Sequence, residues 1–318
     1  MSRRLTVLCG ERSWYLADLQ RAGQQMGITV GRMGFSDLGA GLASQSVGFE
    51  SKQKSPCSGS SLPAVPGRRF LSGMASTDGA CSPETVLVRT MPIGSLEQVI
   101  FRMDVLRNWE SEGVRVVNPP LSLETCIDKF LTLKEFSCQG IPFPETVACQ
   151  TTHQAMDAFQ DLGSDVVVKP IFGGEGRGIM RVGEEEMAYR VFRNLEMSRS
   201  VMYLQKFVAN VKKDIRILLI GDQHFSMLRT NHHSWISNAS MGGEGVPYQP
   251  NDEELEIAFR SKRAIGGQVV GIDLLQDDAG RYFVLEANAV PGWQLLGKVL
   301  QRDIAAEVLS WLFQNTGS

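Results

Sequence analysis

Short apolar runs alternate with amphipathic stretches over the first part of the chain, and this rhythm predicts an open α/β sheet. The predicted elements are a strand at residues 5–9, a helix at 13–26, a strand at 28–30, a strand at 85–89, a helix at about 95–112 and a strand at 114–117. Gly27 provides the stop of the first helix. The sequence Asn118-Pro119-Pro120 then marks the end of a first domain.

Residues 36–83 break this rhythm. The segment is crowded with Ser and Gly, has SPCSGSSLPAVPG at its centre and shows no sustained period. A structureless loop of that length is improbable inside a compact domain, so we expect a mobile surface insertion there.

A helix is predicted from Ser122, as its cap, to about Gly140, and Lys129 lies on it. Such a lysine is most often solvated. Residues 141–144 then break the chain towards a second small sheet.

A glycine-rich segment follows between two predicted strands. Residues 165–170 and 179–182 read as strands, and GGEGRG at 173–178 lies between them. A Rossmann fingerprint or a Walker loop requires a helix after the glycines, so neither motif fits. Such a hairpin can instead cover phosphates with its backbone N–H groups, with Lys169 adding positive charge; a turn that binds no ligand is the alternative.

A second hairpin is predicted around Gly221-Asp222, with Ile220 opposite Gln223. In that register Asp214 lies opposite Arg229, and both share a face with Arg216. The arrangement is explained either by a cross-strand ion pair or by an anion site. Residues 231–245 then form a polar, glycine-containing loop that we interpret as a substrate loop.

The last hairpin joins residues 269–276 and 281–287 through a turn at 277–280. The predicted register places Gln276 opposite Arg281 and Asp273 opposite Val284. Asp273 then shares a face with Glu286 and Asn288, a set of oxygen ligands that suits Mg²⁺. An edge hairpin with its polar face in water is the alternative. A capped helix at about 251–266 precedes this hairpin, and an amphipathic helix at 303–313 closes the chain.

Composition narrows the class of protein. The chain has 318 residues, 43% of them hydrophobic, and a net charge of −3, which predicts two or three soluble domains without a nucleic-acid surface. No apolar run approaches the ~20 residues of a membrane span, so we expect a cytoplasmic protein that binds no membrane. The six cysteines have no C-x-x-C pair and are interpreted as reduced thiols.

In order and spacing, these motifs resemble the ATP-grasp fold, specifically its RimK-like branch of amino-acid ligases. The resemblance rests on Lys129, Lys169 with GGEGRGIM, LQKFV, KDIRILLIGD, SNASMGGEG, GIDLL and LEANAVPG. The resemblance covers about residue 118 to the end of the chain. It implies an α+β ATP-grasp fold: an α/β pre-ATP-grasp domain at 1–118 with the insertion at about 36–83, a central lid subdomain at 119–200 and a C-terminal catalytic subdomain at 201–318.

The resemblance also implies roles for individual residues. Lys129 and Lys169 would contact ATP phosphates under the glycine loop, Asp214 would bind ribose, and Arg216 would face phosphate. Asp273, Glu286 and Asn288 would bind Mg²⁺ or Mn²⁺. The implied nucleotide-binding residues are Lys129, Lys169, Gly174, Glu175, Gly176, Gly178, Gln205, Lys206, Phe207, Val208 and Asp214, with Gln205 to Val208 around adenine. The implied catalytic residues are Arg216, Arg229 and Asn238.

The chemistry implied is phosphorylation of a carboxylate by ATP and attack of an amine on the acyl phosphate, with small-molecule substrates of which one is an amino acid. Ile236 and Met241 stand where RimK-like ligases usually carry basic residues, which leaves the substrates open. The substrate hypothesis is glutamate added to a peptide or to a pterin coenzyme such as tetrahydromethanopterin. A non-catalytic nucleotide-binding scaffold is the alternative function, and homo-oligomerisation is left open.

Overall fold

The structure is a computed structural model, and it describes residues 3–40, 84–174, 176–230 and 244–314. Most of the predicted insertion, Glu175 and Asn238 lie outside the described residues. Nothing is described of the side chains of residues 210–213.

The first sheet is parallel, with strand order β2-β1-β3-β4. Its elements are β1 (Arg4–Leu8), α1 (Trp14–Met26), β2 (Thr29–Met33), β3 (Thr85–Val88), α2 (Leu96–Ser111) and β4 (Arg115–Val117), with a 3₁₀ turn at Phe35–Asp37. The Ser13 side chain accepts a hydrogen bond from the Leu16 N–H at the start of α1. Gly27 ends that helix at a φ of 68°, a conformation that favours glycine. The predicted α/β order of this region is confirmed.

Two helices replace the single one predicted from Ser122 to Gly140. They are α3 (Pro120–Ile127) and α4 (Lys129–Cys138). Ser122 lies inside α3, where Pro120 occupies the first turn. The chain breaks at Asp128, whose carboxylate accepts hydrogen bonds from the N–H groups of Phe130 and Leu131. The prediction was wrong because an aspartate between two apolar stretches can cap a new helix as well as continue the old one.

The second sheet is antiparallel, with strand order β5-β8-β6-β7. Its elements are β5 (Thr146–Cys149), α5 (Thr152–Asp161), β6 (Val166–Lys169), β7 (Met180–Val182), α6 (Glu185–Met197) and β8 (Met202–Lys206). Helices α5 and α6 had not been predicted. Because β8 pairs with β5 and β6, the sheet continues past the predicted domain boundary at residue 200.

The third sheet is antiparallel, with strand order β11-β10-β9-β12-β13. Its elements, with the helices around them, are β9 (Asn210–Ile220), β10 (Gln223–Thr230), β11 (Glu244–Pro247), α7 (Asp252–Ala264), β12 (Val269–Asp277), β13 (Tyr282–Asn288), α8 (Gln294–Leu300) and α9 (Ile304–Gln314). The register predicted around Gly221-Asp222 is confirmed, with Ile220 opposite Gln223 and Asp214 opposite Arg229.

The hydrophobic cores show how the sheets are joined. One buried cluster contains Leu5 of β1, Leu19 of α1, Ile220 of β9 and Leu309 of α9, so the first and third sheets share a core. A separate cluster is formed by the second sheet with its helices α5 and α6, and it includes Phe159 of α5. Within the described ranges, no helix is long and apolar enough to cross a membrane.

Candidate active site

The hairpin of β12 and β13 brings the predicted metal ligands together. Asp273 lies directly opposite Glu286, and Gly271 lies opposite Asn288. Side chains alternate along a strand, so these positions share one face of the hairpin. Two carboxylates and an amide therefore converge on one surface.

The register predicted for this hairpin was wrong, although the shared face was right. Gln276 lies opposite Tyr282 rather than Arg281, and a β-bulge next to Asp273 shifts the pairing again. Without the bulge, Leu285 would lie opposite Asp273. The bulge therefore restores the pairing of the two carboxylates, which is a known use of bulges beside functional sites.

Buried ion pairs connect this hairpin to the neighbouring strands. Arg216 Nη1 lies 2.6 Å from one carboxylate oxygen of Asp273, and Arg229 Nη2 lies 2.9 Å from the other. Arg229 also pairs with Asp214 at 2.7 Å. Gly271 makes room for this arrangement, because a Cβ there would lie 2.5 Å from Arg216 Nη2.

Burial and the neighbouring charges together shift the pKa values of the two aspartates in opposite directions. Burial raises the pKa of Asp273, but the guanidiniums of Arg216 and Arg229 outweigh burial and hold that pKa below its ordinary value. Burial raises the pKa of Asp214, which shares Arg229 with Asp273. The carboxylate of Asp214 is buried and holds the guanidinium of Arg229 in place, and its contact with ribose stays a prediction.

Glu286 provides the test of whether the hairpin fits a cation. Burial and the charge of Asp273 raise the pKa of Glu286 above its ordinary value, although the charges of Lys129, Arg216 and Lys169 act in the opposite direction. Among the residues that the structure describes, no hydrogen bond or ion pair reaches its carboxylate. Asn288 Oδ1 accepts a hydrogen bond from the Val290 N–H at 2.7 Å, which fixes the amide. Unpaired carboxylate oxygen beside Asp273 fits Mg²⁺, whose preferred ligands are oxygens.

The donor set is small. The described part of the chain contains no group of three or more His, Cys, Asp or Glu side chains that could hold a metal ion. Two carboxylates suit Mg²⁺, because this ion keeps several waters and takes further oxygens from substrate phosphates.

The two lysines approach the hairpin from the second sheet and from α4. Lys129 Nζ donates to the Gly173 carbonyl at 2.6 Å, and Lys169 Nζ donates to Gln205 Oε1 at 2.6 Å. Burial lowers the pKa of Lys169 to about 8. Both ammonium groups are close enough to Glu286 for their charges to lower its pKa.

The glycine-rich segment connects β6 and β7 as an antiparallel hairpin, as predicted. Gly173, Gly176 and Gly178 have φ values of 117°, 74° and 72°, which disfavour any other residue. A Cβ at Gly174 would meet nothing within 4 Å. The backbone at Gly173 and Gly174 is therefore open to a ligand, and Lys129 donates to it.

The predicted adenine linker runs from the end of β8 towards β9. The N–H groups of Lys206 and Phe207 donate to the carbonyls of Glu145 and Asp165. Gln205 is buried, and its amide donates to Thr146 Oγ1 while accepting from Lys169. Val208 follows, partly buried. The linker thus connects the second and third sheets beside Lys169.

Three residues near the site were not predicted from the sequence as functional. Arg181 of β7 stacks on the Phe207 ring with its Cζ 3.5 Å from the centroid and pairs with Asp165 at 2.6 Å. Arg89 and Asn118 follow β3 and β4 of the first sheet and reach the residues next to Asn288. Asn118 stood out in the sequence only as part of a domain boundary.

Comparison with solved structures identifies the fold. The structure of the ATP-grasp ligase PsnB complexed with its minimal precursor superposes with a TM-score of 0.71 at 16% identity, covering 99% of this chain and 100% of that one. A D-alanine–D-alanine ligase from Bacillus anthracis gives 0.64 at 16% identity, covering 98% and 96%. The chain therefore has the ATP-grasp fold.

Sequence comparison then defines the branch. Residues 126–312 match the model of the RimK-like ATP-grasp domain. The chain belongs to the RimK-like ATP-grasp family, in which its named relatives are ligases.

The relatives include two tetrahydromethanopterin:alpha-L-glutamate ligases. The Methanosarcina acetivorans protein is 31% identical over 61% of this chain and 63% of its own length, so the match spans less than two thirds of that relative. The Methanococcus maripaludis protein is 31% identical over 68% of this chain and 75% of its own length. Human N-acetylaspartylglutamate synthase A is 32% identical over 72% of this chain and 59% of its own length.

Proposed function

We propose that this chain is an ADP-forming carboxylate–amine ligase that converts a carboxylate into an acyl phosphate with ATP and joins it to an amine. The observation that carries the proposal is the convergence of the paired carboxylates Asp273 and Glu286 with four cationic side chains. These are Lys129, Lys169, Arg216 and Arg229. Such a cluster can gather several anions at one point, which is the main requirement of phosphoryl transfer.

Each part of the site has a separate task in this reaction. Lys129 and Lys169 neutralise the nucleotide phosphates under the glycine loop. Arg216, fixed over Gly271, faces the transferred phosphate, and Arg229 is oriented by Asp214. The glycine loop closes over the phosphates and excludes water, which would otherwise hydrolyse the acyl phosphate. Gln205, Lys206, Phe207 and Val208 line the adenine site.

Asp273, Glu286 and Asn288 would hold the metal ion, Mg²⁺ or Mn²⁺. When bound, such an ion neutralises charge on the phosphate oxygens. Asp273 is kept ionised by its two arginines, and the carboxylate of Glu286, which has no partner among the described residues, supplies the second oxygen ligand.

We further propose that one substrate is an acidic amino acid. The names of the relatives given above contain glutamate or aspartylglutamate, and the names of other relatives contain alpha-aminoadipate. All of these compounds carry more than one carboxylate, and addition of glutamate to a pterin coenzyme or peptide remains our specific hypothesis. By resemblance to RimK-like ligases, Ile236 stands where an arginine is usual. Either a nearby basic residue such as Arg229 or His232 binds the anion instead, or the group bound there is less charged.

The test is a screen for ADP release with pairs of acids and amines. Acidic amino acids are supplied in combination with pterins, peptides and short acids, and the ligated product is identified by mass spectrometry. We expect ADP release that requires ATP, Mg²⁺ and both substrates, and a loss of at least about a hundredfold in Glu286→Gln.

Glu286→Gln preserves the shape of the side chain and leaves no described partner unpaired, so its fold should be intact. Tight ATP binding with no turnover across the whole screen, unchanged in Glu286→Gln, would favour the scaffold function instead.

A further inference from the structure

Asn118 of the first sheet is hydrogen-bonded to both ends of the hairpin formed by β12 and β13. It directly follows β4 and is 1% exposed. Its Oδ1 accepts the N–H groups of Gln268 at 2.7 Å and Val269 at 2.9 Å. Its Nδ2 donates to the Val269 carbonyl at 2.7 Å and to the Ala289 carbonyl at 2.5 Å. The amide thereby uses its full hydrogen-bonding capacity to join the start of β12 to the residue that follows β13.

Arg89, which directly follows β3, binds the same segment two residues further on. Its Nη2 donates to the Pro291 carbonyl at 2.7 Å. The guanidinium lies 4.6 Å from the ring centroid of Tyr15 and 4.1 Å from that of Trp293. Burial lowers the pKa of Arg89 to about 10, still well above neutrality. A buried guanidinium is therefore fixed between two rings and donates a hydrogen bond to the segment that follows β13.

The segment that these two residues bind begins immediately after a proposed metal ligand. Asn288 Oδ1 accepts the Val290 N–H, and the carbonyls on either side of Val290 belong to Ala289 and Pro291. Three consecutive residues after Asn288 are thus each fixed by a side-chain hydrogen bond. The conformation at the end of β13 is determined largely from outside its own sheet.

The position of β13 explains why outside support matters. Among the strands that the structure describes, this one lies at the edge of the third sheet and pairs within it only with β12. It also carries Glu286 and Asn288, beside a bulge that interrupts the ladder. An edge strand with a broken ladder has few restraints on its free side, where the Val284 N–H donates to the Pro142 carbonyl at 2.8 Å, four residues before Asn288. Asn118 and Arg89 add restraint at the end nearest the ligands.

We infer that Asn118 and Arg89 are positioning residues of the first domain that set the geometry of the metal ligands on the hairpin. The inference rests on the proposed function, because it assigns the metal to Asp273, Glu286 and Asn288. Residues that contact the metal ligands and orient them, without touching the metal, change metal affinity by about ten- to a hundredfold when they are substituted. The first domain, by this inference, contributes directly to the metal affinity of the nucleotide site.

The test compares ADP binding with and without Mg²⁺ by titration calorimetry. The ratio of the two affinities is the metal-dependent enhancement. We expect Arg89→Met and Asn118→Ala to reduce this enhancement by about ten- to a hundredfold while metal-free ADP affinity stays within about twofold. Arg89→Lys should restore part of the enhancement, since its ammonium can still donate towards Pro291.

Arg115→Met is the matched control. Arg115 also extends from the first sheet to a main-chain carbonyl of the C-terminal region, donating to Leu312 at 2.6 Å and stacking on Trp311 at 5.0 Å. It binds α9 and not the hairpin, so we expect its loss to leave the enhancement unchanged. Circular dichroism establishes that each variant is folded at the assay temperature, and Arg89→Met decides the matter if Asn118→Ala does not fold.

Unchanged enhancement in Arg89→Met, or an equal fall in Arg115→Met, would overturn the inference in favour of a general structural role. Parallel losses of metal-free and metal-bound affinity would overturn it as well. If Mg²⁺ does not change the ADP affinity of the wild-type protein, the proposed metal role of the hairpin is overturned. This failure is therefore distinguishable from a failure of the positioning role of Asn118 and Arg89.

Discussion

Lys169 shows how a single residue can report on the site. Its ammonium is bound to Gln205 and stands near Glu286, yet burial still lowers its pKa to about 8. The free protein therefore releases this proton at a pH that experiments can reach easily. In the proposed site the charged form binds phosphate, so nucleotide binding would return the proton to Lys169.

MgATP affinity is therefore expected to depend on pH in a defined direction. Below about pH 7 Lys169 is charged in the free protein and affinity is flat. Above about pH 8 affinity falls by up to roughly tenfold per pH unit, because each binding event must first take up a proton. Calorimetry in buffers of different ionisation enthalpy should detect that uptake near pH 8 to 9.

Lys169→Arg is the control, since arginine stays charged throughout this range. Its affinity should be insensitive to pH, and equal pH dependence in this variant would show that another group titrates. For folding, the sign is also fixed: the unfolded chain, with a lysine pKa of 10.5, binds more protons than the fold between about pH 8 and 10.5. This residue therefore makes the fold more stable as pH rises through that window.

At the scale of elements, the start of α4 joins local stability to the site. Asp128 caps the helix, and Lys129 is its first residue. The Lys129 N–H donates to the Ile171 carbonyl, and its ammonium donates to the Gly173 carbonyl. The cap therefore fixes both the helix and the lysine that contacts the glycine loop.

Asp128→Ala should lower the free energy of unfolding by about 0.5–2 kcal/mol, as expected for a lost helix cap, and should also weaken ADP binding severalfold. Thr151→Ala is the matched variant, because Thr151 caps α5 by accepting the Gln154 N–H, and α5 packs in the core of the second sheet on Met202 and Leu204 of β8, away from Lys129 and the glycine loop. It should show a similar stability loss in urea denaturation and no change in ADP affinity. Equal losses of ADP affinity in the two variants would show that the Asp128 cap has no specific effect on the site.

Strand β7 is joined to the adenine linker by Arg181. The guanidinium stacks on Phe207 and pairs with Asp165, whose carbonyl also accepts the Phe207 N–H. Arg181→Met should raise the dissociation constant for ATP by about two- to thirtyfold, the range expected for a lost cation–π contact. The maximal rate should change little. Arg190→Met, which removes an exposed pair with Glu186 on α6, is the control and should be silent.

At the scale of the whole molecule, two of the four hydrophobic clusters among the described residues differ in what they join. Leu309 is fully buried where α9 meets the first and third sheets. Phe192 is fully buried in the core that belongs to the second sheet alone. The second sheet contributes Tyr203 of β8 to a core of the third sheet but no residue to the core shared with the first sheet. It can therefore open by losing the Tyr203 contacts while the shared core stays intact.

Two truncations should separate these units. Leu309→Ala should destabilise the main unfolding transition by about 2–5 kcal/mol, because it leaves a cavity in the shared core. Phe192→Ala should accelerate hydrogen exchange in β5 to β8 first and leave the amides of β1 and β9 protected. Uniform acceleration across all three sheets in Phe192→Ala would show that the molecule unfolds as a single unit.

The sequence by itself determined the elements whose causes are local. The alternation of apolar strands with helix 14–26, stopped at Gly27, predicted the first sheet because caps and glycine stops act within a few residues. The Gly221-Asp222 turn determined the pairing of Asp214 with Arg229, since a two-residue turn fixes a hairpin's register. The order of the motifs was sufficient to indicate the family, and the comparisons confirmed it.

Only the tertiary structure decided features that depend on distant partners. The bulge that places Glu286 opposite Asp273 arises within a hairpin held between β9 and the first domain, and no local pattern specifies it. Helices α5 and α6 escaped prediction, and α3 and α4 were read as one. Arg89 and Asn118 looked like ordinary strand-end residues, because their partners are separated from them by 202 and by 171 positions along the chain. Such contacts exist only after the sheets pack, so the sequence could supply the chemical groups of the site but not the supports that fix them.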